Sequence, residues 1–114
     1  MEKYRFLFYE YFEKVQDLFW YDTGEKRLAL NYKYYLLDNG VFFHKNGQKN
    51  SEGKYKNNKK DGVWTSWDEN GIKYLETTYK NGLKTKTHSI SGNEVSVRNF
   101  YENGQLKFAG KWIN

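Results

Sequence analysis

The sequence predicts an all-β fold, an elongated, curled, single-layer antiparallel meander whose hairpins repeat about every 23 residues. Three observations predict this fold. Aromatic residues make up 20% of the chain and more than half of its 38% hydrophobic residues, a composition that favours strands. Asn-Gly pairs, which are strong hairpin signals, recur along the chain. An aromatic residue follows each turn glycine at a fixed distance of eight residues.

The fixed distance defines an internal repeat. The turn glycines are Gly24, Gly47, Gly71, Gly92 and Gly104, and the aromatic residues are Tyr32, Tyr55, Tyr79, Phe100 and Trp112. Tyr9 extends the aromatic series by one unit toward the N-terminus. We expect these six rings to form a ladder with one rung per unit. The units are about 3–24, 25–47, 48–71, 72–92 and 93–114, within a single domain of residues 1–114.

The first twenty residues support two interpretations. Tyr4, Phe8, Tyr11, Val15 and Leu18 stand at helical spacing and favour an amphipathic helix that would cap the array. Residues 3–24 also align without a gap on 26–47, and Asn-Gly turns interrupt that second segment. The repeat register therefore predicts strands at the N-terminus, with the capping helix as the alternative.

The turns set the direction of the strands. Asn-Gly occurs at residues 39–40, 46–47, 70–71, 81–82 and 103–104, and each pair predicts a type I′ turn with positive φ at both central residues. Connections this short join only antiparallel neighbours. Each unit is therefore expected to be strand, turn, strand, turn.

Composition limits the classes of function. The chain has no cysteine, so it has neither disulfides nor thiolate metal sites, and we expect a cytoplasmic protein because no apolar segment resembles a membrane span or a signal peptide. The net charge is +5, and the excess lies in residues 41–90. A basic face there could bind nucleic acid, anionic lipid or an acidic protein, or could be a solvated surface.

The sequence offers little for catalysis. His44 and His88 are its only histidines, and both fall in strands just before turns without nearby carboxylates at a recurring spacing. Nucleophile, phosphate-loop and metalloprotease motifs are missing. We therefore expect a protein that is not an enzyme and that holds no cofactor or metal.

The candidate binding residues lie in the basic middle of the chain. Trp64 and Trp67 stand three apart on one predicted strand, so one ring faces inward and the other outward. An outward tryptophan beside lysines is typical of binding hot spots, although packing against a turn would explain it equally. The predicted partner-binding residues are Trp64, Trp67, Tyr74, Lys56, Lys59, Lys60 and Lys80.

The segments "KNGQKNSEGKYKNNKKDGVWTSWDENG" and "YENGQLKFAGKW" resemble bacterial MORN-type repeats of the second variant class. The resemblance covers residues 42–82 well and 100–112 in part. It implies a curled single-layer antiparallel sheet with aromatic residues along one face, and an antitoxin-like role in toxin–antitoxin modules of bacteria or phages. Asn58 replaces the glycine expected in the inner turn, and the fourth unit lacks the Lys-Asp-Gly-x-Trp element.

Three classes of function follow. The first is a non-catalytic module that binds and neutralises a partner protein such as a toxin or nuclease, using an aromatic and lysine-rich sheet face. The second is binding of single-stranded RNA through stacked bases, which the scarcity of arginine disfavours. The third, weak binding to anionic lipid, ranks last, and a membrane is the least expected partner. The open sheet edge also allows a homodimer.

Overall fold

The computed structural model describes the backbone of residues 2–10, 13–34 and 36–113, and the side chains of residues 15–34 and 36–113. Ten strands account for most of these residues. They are β1 (Glu2–Glu10), β2 (Glu13–Tyr21), β3 (Lys26–Lys33), β4 (Leu36–Phe43), β5 (Lys49–Lys56), β6 (Lys59–Trp67), β7 (Lys73–Lys80), β8 (Leu83–Ser91), β9 (Glu94–Phe100) and β10 (Leu106–Ile113).

The strands form one sheet in the order of the chain, and each strand is antiparallel to its neighbours. The sheet extends 49 × 31 × 21 Å, as expected for strands stacked about 4.8 Å apart. The all-β meander is thereby confirmed. Residues 2–10 and 13–21 are strands, so the alternative of an N-terminal capping helix is wrong.

Four turns share one geometry. They span Tyr21–Glu25, His44–Gln48, Asp68–Ile72 and Tyr101–Gln105. In each, the glycine N–H donates to the carbonyl three residues earlier at 2.9–3.0 Å, and the glycine has positive φ while the preceding residue does not. This is a type I turn followed by a left-handed glycine. The type I′ prediction is therefore wrong for Asn46-Gly47, Asn70-Gly71 and Asn103-Gly104, because their loops are longer than two residues.

The Asp68 turn shows what stabilises this geometry. The Asp68 carboxylate accepts hydrogen bonds at 2.9 Å from the backbone N–H groups of both Asn70 and Ile72. An aspartate that accepts hydrogen bonds from the backbone of its own turn satisfies N–H groups that a longer loop leaves without a backbone partner.

The remaining turns are short. Asn81-Gly82 has φ of 52° and 81°, so its type I′ turn is confirmed, and Asn57-Asn58 adopts the same conformation without a glycine, at 52° and 63°. Asn39-Gly40 is not a turn at all, because it lies inside β4. A Cβ on Gly40 would stand 3.0 Å from Cε2 of Tyr55, so this glycine serves side-chain packing.

The turns lie along the two sides of the sheet where the strands end, and we call these two sides the long-turn edge and the short-turn edge. The long-turn edge carries the turns at 21–25, 44–48 and 68–72, together with the tight turn at Gly92 and Asn93. The short-turn edge carries the turns at 57–58 and 81–82 and the end of β3, which Tyr34 follows. Because β8 adds one strand to the array, the last long turn, Tyr101–Gln105, falls on the short-turn edge. The interval between Gly92 and Gly104 is about half a repeat unit, which is why this long turn lies on the opposite edge from the earlier ones.

Most of the core lies on one side of the sheet, which we call the packed face, whereas the buried Ala29 lies on the other side. Pairing places Leu30, Gly40 and Gly53 in line on the packed face, and Trp64, only 3% exposed, lies over Gly53. The Trp64 ring contacts those of Phe42, Tyr55 and Tyr79, with centroids 6.3, 5.1 and 6.5 Å away.

The aromatic ladder is present in part. Tyr32, Tyr55 and Tyr79 lie at equivalent places on β3, β5 and β7. Their strands are two apart, about 9.6 Å, so Trp64 on the intervening strand joins the second and third rungs. Trp112 is 50% exposed and is not a core residue. The ring of Tyr9 lies outside the described side chains.

Candidate binding surface

The predicted binding residues do not form one patch. Lys59 begins β6 and Trp67 ends it, so the two residues stand at opposite ends of a nine-residue strand, about 26 Å apart. Lys56 and Lys80 lie beside short turns with Lys59, whereas Tyr74 lies near the long-turn edge with Trp67. The lysines and the outer aromatics therefore belong to different surfaces.

Trp64 is a structural residue. Its indole N–H donates to the carbonyl of Lys54 at 3.0 Å, and the ring lies so close to Gly53 that a Cβ there would stand 2.3 Å from Cδ2. The half-buried Lys60 covers the outer side of the indole, with its Nζ 4.6 Å from the ring centroid. Burial removes Trp64 from the candidate contact residues, and of the two tryptophans Trp67 is the more exposed.

Trp67 belongs to a repeating row of aromatic and lysine residues along the long-turn edge. Three successive hairpins each pair an aromatic residue with a lysine six positions later across the turn. The row consists of Trp20, Lys26, Phe43, Lys49, Trp67 and Lys73. We call it the aromatic–lysine row. Sequence reasoning missed it, although the constant spacing of six was a visible signal.

The aromatic–lysine row joins consecutive hairpins. The Lys26 ammonium lies 5.7 Å from the ring centroid of Phe43, and that of Lys49 lies 5.9 Å from the Trp67 ring. Lys49 and Lys73 also pair with Glu52 and Glu76, at 2.9 and 3.3 Å. The lysines of the row thus find their partners, aromatic rings and carboxylates, within the sheet. The row therefore stabilises the stack of hairpins.

The long turns bond one another through side chains. The Tyr21 hydroxyl donates to the carbonyl of Phe43 at 2.9 Å. One unit later, the His44 Nε2 lies 2.8 Å from the carbonyl of Trp67 and, in the tautomer that carries its proton there, donates to it. The Asn46 amide donates to the carbonyl of Glu69 at 2.7 Å. His44 is thus engaged in linking turns.

The short-turn edge is basic. We call the lysines on its side of β3 to β8 the basic edge: Lys33, Lys54, Lys56, Lys59, Lys60, Lys80, Lys84 and Lys86. The acidic residues on the same side are Asp38 and Asp61. Within the described residues, no ion pair involves a lysine of the basic edge. The turns of the opposite edge carry Asp22, Glu25, Asp68 and Glu69 against the single lysine Lys45, so positive charge is concentrated on the short-turn edge.

Backbone contacts bring successive short turns together. The Gly82 N–H donates to the carbonyl of Lys60 at 3.0 Å. A Cβ on Gly82 would lie 3.4 Å from the Lys59 Cβ, so the Lys59 stem passes close to the next turn. Lys59 and Lys80 therefore flank neighbouring turns of one continuous edge.

Exposed apolar side chains interrupt the basic edge. Tyr34 is 74% exposed, Leu36 64% and Leu83 50%. A shallow concavity of about 390 Å³ opens between Tyr34, Leu36 and Lys56. The edge therefore combines exposed apolar side chains, which can form the buried centre of an interface, with lysines that can form its polar rim.

Comparison with known proteins identifies the family. The MORN repeat variant family matches residues 39–57, 60–81 and 94–114, which together cover more than half of the chain. The chain therefore belongs to the MORN repeat variant family. Each matched range is one hairpin around a long turn, namely β4–β5, β6–β7 and β9–β10, while β8 lies between the second and third ranges. MORN repeats generally mediate binding to proteins or membranes.

A solved structure shares the fold. The structure titled "Crystal structure of GtfA/B complex bound to UDP and GlcNAc" contains a chain that matches 97% of this chain, with a TM-score of 0.56 and 12% sequence identity. The match covers 24% of that chain, so the sheet spans about a quarter of its length. This likeness shows the fold alone. No curated protein matches the sequence.

Two further features limit the site. In the part of the chain that the structure describes, no group of three or more histidine, aspartate or glutamate side chains could hold a metal ion. The same part has no helix that is long and apolar enough to cross a membrane.

Proposed function

We propose that this chain is a non-catalytic module that binds and neutralises a protein partner with an acidic surface, as an antitoxin or an inhibitor does. The observation that supports this proposal is the basic edge, where lysines that form no ion pair among the described residues share one side of the sheet with the exposed Tyr34, Leu36 and Leu83. The partner would be a toxin, a nuclease or another effector. We place the protein in the cytoplasm, in keeping with its lack of cysteine.

The basic edge supplies both parts of a protein interface. Exposed Tyr34 and Leu36 are large enough to enter apolar pockets of a partner and supply the buried centre of the contact. The surrounding lysines attract an acidic surface over long distances, which accelerates association and excludes basic competitors. Because the lysines form no ion pairs among the described residues, a partner carboxylate would not have to displace an internal one.

The histidines support a role without catalysis. His44 bonds the turn of the following unit, and His88 lies 3.5 Å from Glu76, itself paired with Lys73. Both imidazoles therefore make contacts within the sheet.

The test begins with capture of the partner from the native host, its identification by mass spectrometry and its purification. Calorimetric titration of the purified partner should then show binding that weakens with salt. Lys59→Glu should weaken it at least about tenfold, because a charge reversal replaces attraction by repulsion at the contact. In host cells, co-expression should suppress the partner's toxic or nuclease activity, and Lys59→Glu should restore that activity.

Two control variants locate the contact surface. Lys45→Glu makes the same charge change on the long-turn edge and should leave the affinity unchanged. Trp67→Ala should also leave it nearly unchanged. If Trp67→Ala abolishes binding while Lys59→Glu does not, the partner contacts the aromatic–lysine row, and the proposal for the basic edge is wrong.

Anionic lipid is the second candidate, favoured by the exposed apolar side chains beside the lysines. Such an edge could insert Tyr34 and Leu36 between headgroups while its lysines meet phosphates, at about 1 kcal/mol per lysine. Sedimentation with phosphatidylserine vesicles and with phosphatidylcholine vesicles distinguishes this candidate. Binding that ignores the phosphatidylserine content would exclude it.

Binding of single-stranded RNA has less support. Base stacking needs exposed ring faces, whereas Tyr55, Trp64 and Tyr79 pack against one another. Among the described residues of the basic edge, Tyr34 is the aromatic residue with a largely exposed ring. A gel-shift titration with single-stranded RNA at low salt should therefore show weak binding at most.

A further inference from the structure

Strand β10 is paired on one side only and is apolar on its surface. It pairs with β9, and its other edge faces no strand of the described residues. Four of its side chains are at least half exposed: Leu106 at 53%, Phe108 at 50%, Trp112 at 50% and Ile113 at 74%. An exposed apolar edge strand is a template for pairing with another strand.

The two lysines of β10 do not protect this edge. The Lys111 ammonium pairs with the Glu94 carboxylate on β9 at 3.2 Å. The Lys107 ammonium lies 5.5 Å from the ring centroid of Tyr101, in the turn that precedes β10. Both ammonium groups make contacts within their own chain, although the Lys111 side chain stays exposed, and the chain contains no proline that could block pairing.

The side chains of β10 alternate between the two faces of the sheet. Phe108, Gly110 and Trp112 share one face, and Ala109 and Lys111 lie on the other. A Cβ on Gly110 would stand 2.7 Å from Cη2 of Trp112, so the indole lies over the glycine. Gly110 therefore marks a place where large rings can cover bare backbone.

We propose that β10 pairs antiparallel with β10 of a second copy of this chain, with Gly110 opposite Gly110 on a two-fold axis. In this register Phe108 faces Trp112 of the second copy, and symmetry repeats the pair. Ala109 faces Lys111, and Lys107 faces Ile113. Four rings then cover two glycines in a sheet that is continuous through both copies.

Charge selects this register from its neighbours. A shift of two residues in one direction places Lys107 opposite Lys111 twice, and in the other direction it places Lys111 opposite itself. Like charges directly opposite each other destabilise a strand pair. The register centred on Gly110 avoids both arrangements and keeps the full aromatic pairing.

Self-complementarity points to a second copy in a closed pair. Pairing of β10 with β1 of another copy would leave a free β10 at one end and a free β1 at the other, so such contacts would continue into open chains. The two-fold pair uses one surface twice and stops at two copies. It also leaves the basic edge of each copy unused.

Disulfide trapping tests the register, because the chain has no native cysteine. Residues directly opposite each other in an antiparallel pair have Cα atoms about 4.5–5.5 Å apart, within reach of a disulfide. The double variant Ala109→Cys, Lys111→Cys should form covalent dimers under mild oxidation, seen on non-reducing gels. Ala109→Cys alone should not. Covalent dimers of Ala109→Cys alone would show the shifted register and overturn the one centred on Gly110.

Analytical ultracentrifugation of the unmodified chain tests the dimer itself. It should show a monomer–dimer equilibrium, and Ala109→Lys should raise the dissociation constant at least about tenfold, because it places two lysine pairs across the axis. Gln105→Lys adds the same charge in the preceding turn and should change nothing. Circular dichroism should show that both variants keep the strand content of the unmodified chain.

Three results would overturn the proposal. The first is a chain that stays monomeric up to about 1 mM, since this corresponds to a negligible affinity. The second is a dimer that Ala109→Lys leaves unchanged. The third is a series of oligomers that grows beyond two copies, which would indicate head-to-tail pairing through β1.

Discussion

Gly40 and Gly53 face each other on β4 and β5, and their missing Cβ atoms leave room for two aromatic rings. The Tyr55 ring lies over Gly40, and the Trp64 indole lies over Gly53. Glycine inside a strand usually weakens it. Here, however, the two rings recover apolar contact that two small side chains could not make.

The glycines predict a graded series of alanine variants. At Gly53 a Cβ would lie 2.3 Å from the core of the buried indole, and at Gly40 it would lie 3.0 Å from the Tyr55 ring. At Gly110 it would meet only the far end of the exposed Trp112. Gly53→Ala should therefore lower the free energy of unfolding by about 3 kcal/mol, Gly40→Ala by about 1 kcal/mol, and Gly110→Ala least.

Urea denaturation measures the series. The urea midpoint should fall most for Gly53→Ala, less for Gly40→Ala and least for Gly110→Ala, with unchanged slopes. If Gly53→Ala is no less stable than Gly40→Ala, the indole can move aside, and Trp64 is not the rigid centre of the core.

Tyr55 should make stability sensitive to alkaline pH. Burial raises the pKa of its hydroxyl above the ordinary value of 10.0. The folded state therefore resists ionisation more than the unfolded state, and this contribution to stability is complete below about pH 10 and is lost as pH rises through the folded pKa. Tyr55→Phe should remove part of the alkaline loss. Denaturation series between pH 8 and about pH 12, run on Tyr55→Phe and on the unmodified chain, measure the difference.

At the scale of the elements, turn conformation separates asparagines that look alike in the sequence. Asn58 has φ of 63° in a two-residue turn, whereas Asn70 precedes the left-handed Gly71 and does not have positive φ. Glycine is preferred at the second central position of a type I′ turn. At positions where other residues fit without strain, glycine is unfavourable, because it loses more conformational entropy on folding than they do.

Asn58→Gly should therefore stabilise the protein by about 0.5 kcal/mol, because it relieves the left-handed conformation. Asn70→Gly makes the same chemical change and should destabilise it by a similar amount. Thermal unfolding by circular dichroism would show the midpoints moving in opposite directions. Equal shifts of one sign would contradict the assignment of two turn types.

The repeat register predicted most of the strands because it rests on a spacing that recurs at many positions along the chain. The equal spacing of Tyr32, Tyr55 and Tyr79 from their turn glycines placed three strands correctly. Single dipeptides predicted less. Asn39-Gly40 has the composition of a turn, yet its glycine is required by the Tyr55 ring, and this ring is fifteen residues away in the sequence. Local propensity could not show a requirement that arises across strands.

The binding surface was harder to predict, for a geometrical reason. Lys59 and Trp67 are close in sequence, but an extended strand carries them to opposite edges. Lys56, Lys59 and Lys80 were predicted together and do share one edge. The position of the last long turn on the short-turn edge could have been found from the interval of 12 between Gly92 and Gly104, because half a unit moves a turn to the other edge.

At the scale of the whole molecule, the sheet is a one-dimensional array. Each strand contacts chiefly its two neighbours, and both ends of the array have one neighbour fewer. Strands in the middle of the array are accordingly more buried than the last one. Trp64 in β6 is only 3% exposed, whereas most residues of β10 are exposed. In such arrays, stability is approximately a sum of local terms and interfaces between neighbours.

A change in the middle of the array should therefore act locally before it acts globally. Trp64→Ala removes the ring that joins Tyr55 and Tyr79 and should lower the free energy of unfolding by about 3–5 kcal/mol. Amide hydrogen exchange should show the largest loss of protection in β5, β6 and β7, and a smaller loss in β9 and β10. Trp67→Ala, on the same strand but outside the core, should cost less and leave this pattern unchanged. An equal loss of protection in all ten strands would instead show that the sheet opens as one cooperative unit, and would contradict the description of the fold as an array.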